Sequence, residues 1–172
     1  MPEPTLDKAR TEACPIVMRR PVAEDGPAVS GLVGACPPLD ENSRYCNLLQ
    51  CTDFSDTCIV AERAGELVGW VSGYRLPSEP ETLFVWQVAV HPDARGECLG
   101  KRMLLALLRR LSKSGVSALR TTVTKANQPS RAMFRSIAGS LDADMSERRH
   151  FEAGRHFDGR HEGEYLIEIG RF

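Results

Sequence analysis

Apolar residues in this chain recur with two different spacings, and the change from one to the other marks out its elements. Leu99, Met103, Leu107 and Leu111 lie four apart, and Leu104 and Leu108 widen the same stripe. This period predicts an amphipathic helix of roughly four turns. Ser114-Gly115 closes it, because glycine readily takes the left-handed conformation that ends helices. Residues 83–90 (LFVWQVAV) are instead almost continuously apolar, which predicts a strand buried on both faces. Strict alternation places Phe84, Trp86 and Val88 on one face and Val85, Gln87 and Ala89 on the other. Residues 57–62 and 66–75 are also strand-like, and the tight Ala64-Gly65 turn between them predicts a hairpin.

Two short helices are expected before that hairpin, after a first strand over residues 15–20. Ala23-Glu24-Asp25 offers a helix start ahead of Val29, Leu32 and Val33. Cys36-Pro37-Pro38 stops that helix, since proline lacks the backbone donor and restricts the residue before it. Asn42 or Ser43 then caps a helix reaching Leu48, Leu49 and Cys51. Downstream, a strand over 118–123 is followed by a helix that Asn127 caps, carrying Ala132, Met133, Phe134 and Ile137. Residues 165–169 form a last strand. The order of elements predicts an α/β (α+β) layer with a mixed sheet. It fits one domain over 15–172, preceded by a polar, mobile tail over 1–14.

Composition removes several functional classes. The 172 residues are 42% hydrophobic and 26% charged, with a net charge of -1. No basic excess points to nucleic acid, and no polybasic run points to a membrane surface. No apolar run approaches the ~18 residues of a membrane helix. The N-terminus lacks the apolar core of a secretory signal, so a cytoplasmic location is expected. The six cysteines include no C-x-x-C pair and fit reduced, mostly buried thiols. His156 and His161 are five apart rather than four, so no metal site is expected.

Candidate chemistry concentrates after residue 90. The run HPDARGECLGKRM places an arginine, two glycines and a basic pair between a buried strand and a helix. Such a turn presents successive backbone N–H groups and a helix N-terminus to an anion. Gly96 and Gly100 allow close approach, and Arg95, Lys101 and Arg102 add positive charge; a pyrophosphate fits. A solvated basic turn that merely starts a helix is the plain alternative. Neither a Walker A loop nor a dinucleotide fingerprint is present.

The setting of this loop resembles the GNAT superfamily of N-acetyltransferases: buried strand, R-x-x-[G]-x-G loop, leucine-rich helix, strand, Asn-capped helix. The resemblance implies a central mixed, mostly antiparallel sheet flanked by helices, with acetyl-CoA as co-substrate and no metal. It implies that Gln87, Val88 and Val90 line the pantetheine arm. Arg95, Gly96, Cys98, Leu99, Gly100, Lys101 and Arg102 would surround the pyrophosphate, with Asn127 and Phe134 close to the cofactor. Cys98 departs from the pattern, which has glycine there. A positive φ at Cys98 would crowd the backbone approach and weaken CoA binding.

Four further segments, CPPLDENSRYCNLLQC, LFVWQVAVHPDARG, TTVTKANQPS and HFDGRHEGEYLIEIGRF, resemble the L-2,4-diaminobutyrate N-acetyltransferases of ectoine biosynthesis. The likeness covers about residues 15–172. It implies acetyl transfer to the 4-amino group of L-2,4-diaminobutyrate, in a homodimer. A diamine with one carboxylate needs acidic and hydrogen-bonding partners. Asp40, Asn42, Tyr45, Trp86 and Glu164 are the expected acceptor-binding residues. The attacking amine must lose a proton (an alkylammonium titrates near ~10.4). Glu164 is the favoured base, His161 the runner-up, and Tyr45 a third catalytic candidate. Glu162 and Glu164 would share a face if that segment is extended. Plainer roles stand beside these: Asp40 as a helix cap, Tyr45 and Trp86 as core. Acetylation of another small amine, such as a polyamine or aminoglycoside, is the alternative activity, and a non-catalytic acyl-CoA-binding module the alternative class.

Overall fold

The strongest strand of the sequence lies at the centre of the sheet. The computed structural model describes residues 14–172. The expected tail lies outside these residues except for Cys14, which is exposed. The strands are β1 (Ile16–Arg19), β2 (Ile59–Arg63), β3 (Glu66–Leu76), β4 (Glu79–Val90), β5 (Ala118–Thr124), β6 (Met145–Phe151) and β7 (Glu164–Ile169). They form one sheet in the order β1-β2-β3-β4-β5-β7-β6. Every neighbouring pair is antiparallel except β4 and β5. That parallel pair needs a crossover, which the predicted leucine-striped helix supplies.

Helices cover both faces. They are α1 (Gly26–Gly34), α2 (Arg44–Cys51), α3 (Leu99–Ser112), α4 (Gln128–Leu141) and the single turn α5 (Ala153–His156). On one face, Met103, Leu104, Leu107 and Leu111 of α3 and Phe134 and Ile137 of α4 pack on Leu83, Val85, Leu119 and Ile167. On the other, Val29, Leu32 and Val33 of α1 pack on Val60, Trp70 and Ala89. The Ser43 hydroxyl caps α2 by accepting from Cys46 N at 3.1 Å, so Asp40 is not the cap. Asn127 caps α4, its Oδ1 accepting from Ser130 N at 3.1 Å. Ala64 and Gly65 both have positive φ, as a two-residue hairpin turn of type I′ demands.

Strand β6 has no counterpart in the apolar pattern. Its sequence, MSERRHF, is exposed at every position after Met145, as befits a sheet edge.

Strand β4 departs from simple alternation at one residue. Ser72 of β3 pairs with Gln87, and Gly73 with Val85, so Trp86 is an extra residue with no partner. This β-bulge reverses the phase of everything after it. Leu83, Val85, Val88 and Val90 therefore all belong to the α3 side, while Ala89 joins the α1 side. Val85 and Ala89, expected on one face, are on opposite faces.

Candidate active site

Strands β4 and β5 are paired only from Thr82↔Ala118 to Val85↔Thr121. Both continue past that point, β4 to Val90 and β5 to Thr124. The sheet thus opens into a split edged by main-chain groups, which suits an extended chain carrying amides of its own. Beside the split lies a cavity of about 600 Å³. Val88, Val90, Arg95, Gly96, Cys98, Leu99, Gly100, Lys101 and Asn127 line it, as the sequence leads one to expect. Cys36, Pro37, Pro38 and Leu39 close one side, and Pro129, Ser130, Met133 and Ser136 of α4 another.

The loop before α3 fits an anionic phosphate group. Arg102 is the first residue whose N–H bonds back into the helix, to Cys98 O at 3.0 Å, so the first-turn N–H groups ahead of it point out of the helix end. A Cβ on Gly100 would lie 3.2 Å from Val88 Cγ1 and 3.0 Å from Met133 Sδ. Glycine there lets the helix start close against β4. Gly96 has φ +84°, a conformation glycine takes without penalty.

Three of the expected cofactor residues have side chains outside this cavity. Phe134 is 2% exposed and belongs to the apolar core under α4; Met133, one residue earlier, faces the cavity. Arg102 is exposed and does not line the cavity. Gln87 does not line it either, because the bulge turns its side chain to the other face.

Cys98 caps α3 with φ 53° and ψ 27°, the left-handed conformation that costs a residue with a Cβ about 1–2 kcal/mol. Glycine's greater freedom in the unfolded chain offsets about 0.5–1 kcal/mol of that gain, so Cys98→Gly is expected to raise the Tm by about 1–4 °C and to tighten acetyl-CoA several-fold. Calorimetric titration with CoA checks this, and an unchanged Kd would show that the Cys98 side chain does not hinder approach to the loop. Cys51 and Cys58 are poor nucleophiles: burial pushes the Cys51 thiol up to about 11 and the Cys58 thiol up to about 12.

The acceptor side lies across the sheet. Register pairs Arg120 with Glu168, Thr122 with Leu166 and Thr124 with Glu164, which puts all six on the face opposite Leu119, Val123 and Ile167. Glu164 is partly buried. Burial holds its carboxyl above the usual carboxylate range, with Asp40 and Glu162 adding to the rise, while His161 and the Thr122 hydroxyl oppose it. His161 Nε2 is 3.9 Å from Asp40 Oδ2, and its Nδ1 is 2.7 Å from Glu162 O. That second contact requires a proton on Nδ1, since a carbonyl only accepts. The structure thus gathers Glu164, His161, Asp40 and Thr122; Thr122 was missed because nothing in its own strand pattern singles it out. Trp86 is 49% exposed, with its ring edge-on to Tyr74 at 6.4 Å. It is not core.

The remaining acceptor candidates separate. Tyr45 is 70% exposed on α2; it is not a core residue. Asn42 spends its amide donor on Gln87 Oε1, at 2.8 Å. Glu162 lines a second cavity of about 400 Å³ with Lys125, Arg149 and Tyr165, and reaches the Glu164 group through its carbonyl on His161 and its charge. Gly163 between them is forced: a Cβ would sit 2.9 Å from Phe151 O. Among the described residues, no group of three His, Cys, Asp or Glu side chains is placed to hold a metal ion. No helix there is long and apolar enough to cross a membrane.

A helix start suited to an anion, a split parallel strand pair and a partly buried carboxylate meet in this cleft, and the sequence that builds most of it matches a known family. The acetyltransferase (GNAT) family model covers residues 22–139. The chain belongs to the GNAT family. Within it, this acetyltransferase is 47% identical over 161 residues to the L-2,4-diaminobutyric acid acetyltransferase of Methylotuvimicrobium alcaliphilum, covering 93% of this chain and 94% of that one. Against the enzyme of the same name from Vibrio cholerae it is 44% identical over 91% of each chain. A solved structure of the Paenibacillus lautus diaminobutyrate acetyltransferase, in complex with its substrate L-2,4-diaminobutyric acid and coenzyme A, superposes with a TM-score of 0.87 at 40% identity. It covers 92% of the acetyltransferase described here and 96% of its own chain.

Proposed function

We propose that this acetyltransferase moves the acetyl group of acetyl-CoA to the 4-amino group of L-2,4-diaminobutyrate. The observation that carries the reading is the placement of a partly buried Glu164, beside Asp40 and His161, on the sheet face that meets the open end of the β4–β5 split. The acceptor arrives with two ammonium groups. Asp40 supplies an exposed carboxylate to hold one of them, and the ring of Trp86 offers a flat apolar wall with affinity for cations. Glu164 takes the proton from the attacking nitrogen, directly or through a water, and its raised pKa makes it a better base than a solvent-exposed carboxylate. His161 orients the site and offers an onward path for the proton. Backbone N–H groups of β4 lie where the thioester oxygen gains charge. The nitrogen–carbon bond forms first, and collapse of the tetrahedral adduct then breaks the carbon–sulfur bond and releases the CoA thiolate.

The relatives' shared name supports the acceptor; we propose in addition that residues 15–172 form one catalytic domain that works in the cytoplasm as a homodimer on the route to ectoine. Initial rates of CoA release with diaminobutyrate, ornithine, lysine and putrescine test the acceptor, and NMR of the product places the acetyl group. Diaminobutyrate is expected to exceed the others in kcat/KM by at least tenfold. Equal rates on all four amines, or acetyl on the 2-amino nitrogen, would overturn the assignment.

A further inference from the structure

We propose that Gln87 is a positioning residue that ties the acceptor loop, residues 36–43, to the acyl-donor strand and so sets where Asp40 stands. Gln87 is 6% exposed and sits immediately after the bulged Trp86. Its Nε2 donates to Asp40 O at 2.6 Å, and its Oε1 accepts from Asn42 Nδ2 at 2.8 Å. Both ends of one buried amide are therefore spent on two residues of a loop that has no regular structure of its own from Asp40 to Ser43. A glutamine can do this because it donates and accepts at once. A carboxylate lacks the donor, and an apolar side chain lacks both.

A second tie acts at the other end of the loop, where Cys36 Sγ donates to Val90 O at 3.3 Å. Residues 36–39 line the donor cavity. The Asp40 carboxylate instead stands 3.9 Å from His161 on the acceptor side. One strand thus holds the loop at two points, and Gln87 holds the acceptor end. Strand alternation alone cannot reveal this, since Gln87 reaches the loop only through the phase change at Trp86.

The inference rests on the proposed acceptor chemistry for its kinetic test. Gln87→Leu, close in volume but without hydrogen bonds, is expected to raise KM for diaminobutyrate about tenfold, the loss of roughly one to two hydrogen bonds. KM for acetyl-CoA should stay within about twofold, because Cys36 still holds the donor end. Gln87→Glu keeps the acceptor but sets a buried carboxylate oxygen against Asp40 O, and should be at least as impaired as Gln87→Leu. Asn42→Ala breaks the same link from the half-buried loop side, and combining it with Gln87→Leu should add little. Equal increases in both KM values, or full additivity of the pair, would reduce Gln87 to a packing residue and overturn the proposal.

Hydrogen exchange without substrate separates this proposal from the assigned activity. Gln87→Leu should speed exchange over residues 38–43 and leave α3 unchanged. Unaltered exchange in that loop would sink the proposal even if diaminobutyrate is the substrate. Selective acceleration would sustain it even if the wild type prefers another amine.

Discussion

Replacing Glu164 with Gln is expected to lower kcat by about 10²–10⁴-fold while leaving the protein at least as stable as the wild type near neutral pH. Both halves follow from burial. The carboxyl is held above its ordinary range chiefly because desolvation penalises the charged form. A carboxyl whose folded value is raised binds its proton more tightly in the native state than in the unfolded chain. Stability is therefore highest below the unfolded value, declines as pH rises toward the folded value, and stays reduced above it. Glutamine carries no charge and escapes this loss. Thermal melts of wild type and variant should coincide in acid and separate as pH rises, with the variant higher. The kcat of the wild type should fall as pH drops through the Glu164 value, and the variant should lose that limb. Wild-type turnover in Glu164→Gln would remove the residue from proton transfer. A lower melting point at neutral pH would mean that the ionised carboxylate is already fully satisfied by its neighbours.

Gly73→Ala is expected to be the most damaging single-methyl change outside the cleft. A Cβ at Gly73 would lie 2.6 Å from Phe84 O, a main-chain atom that moves only with its strand. Gly73 faces the β4 bulge, and its own carbonyl accepts from the Thr57 hydroxyl at 2.6 Å. Relief of the clash must shift β3 against β4 where Trp86 leaves the ladder. The cost of such overpacking is about 3 kcal/mol, which lowers the Tm by about 6–12 °C in a chain of this size. kcat/KM should fall further than the unfolded fraction explains, since Trp86 and Gln87 both move. A melting point within a degree of wild type would show that the bulge adapts freely.

The sequence pattern made the donor half of the cleft legible and left much of the acceptor half hidden. Gly96, Gly100 and Lys101 sit in a continuous strand–loop–helix run, where spacing along the chain translates directly into neighbourhood, and Asn127 stands at the start of the next strand–helix unit. Helix α3 announced itself through Leu99, Met103, Leu107 and Leu111 for the same reason. Phe134 lies in the core while its neighbour Met133 lines the cavity, since on a helix a step of one turns a side chain by about 100°. Gln87 was misplaced by the Trp86 bulge, which no alternation rule anticipates. Thr122 meets Glu164 only through pairing between β5 and β7, strands 40 residues apart in the chain. Strand β6 escaped notice because an edge strand exposed on both faces keeps no apolar rhythm.

The split between β4 and β5 has a bearing on how such a protein changes over generations. Main-chain atoms edge the donor groove, and substitution seldom alters main-chain chemistry. Asp40 and His161 instead sit on loops, and Glu164 at the very start of β7, positions that drift can revise one at a time. Substitutions at those three positions would change which amine is accepted while the main-chain groove kept the thioester.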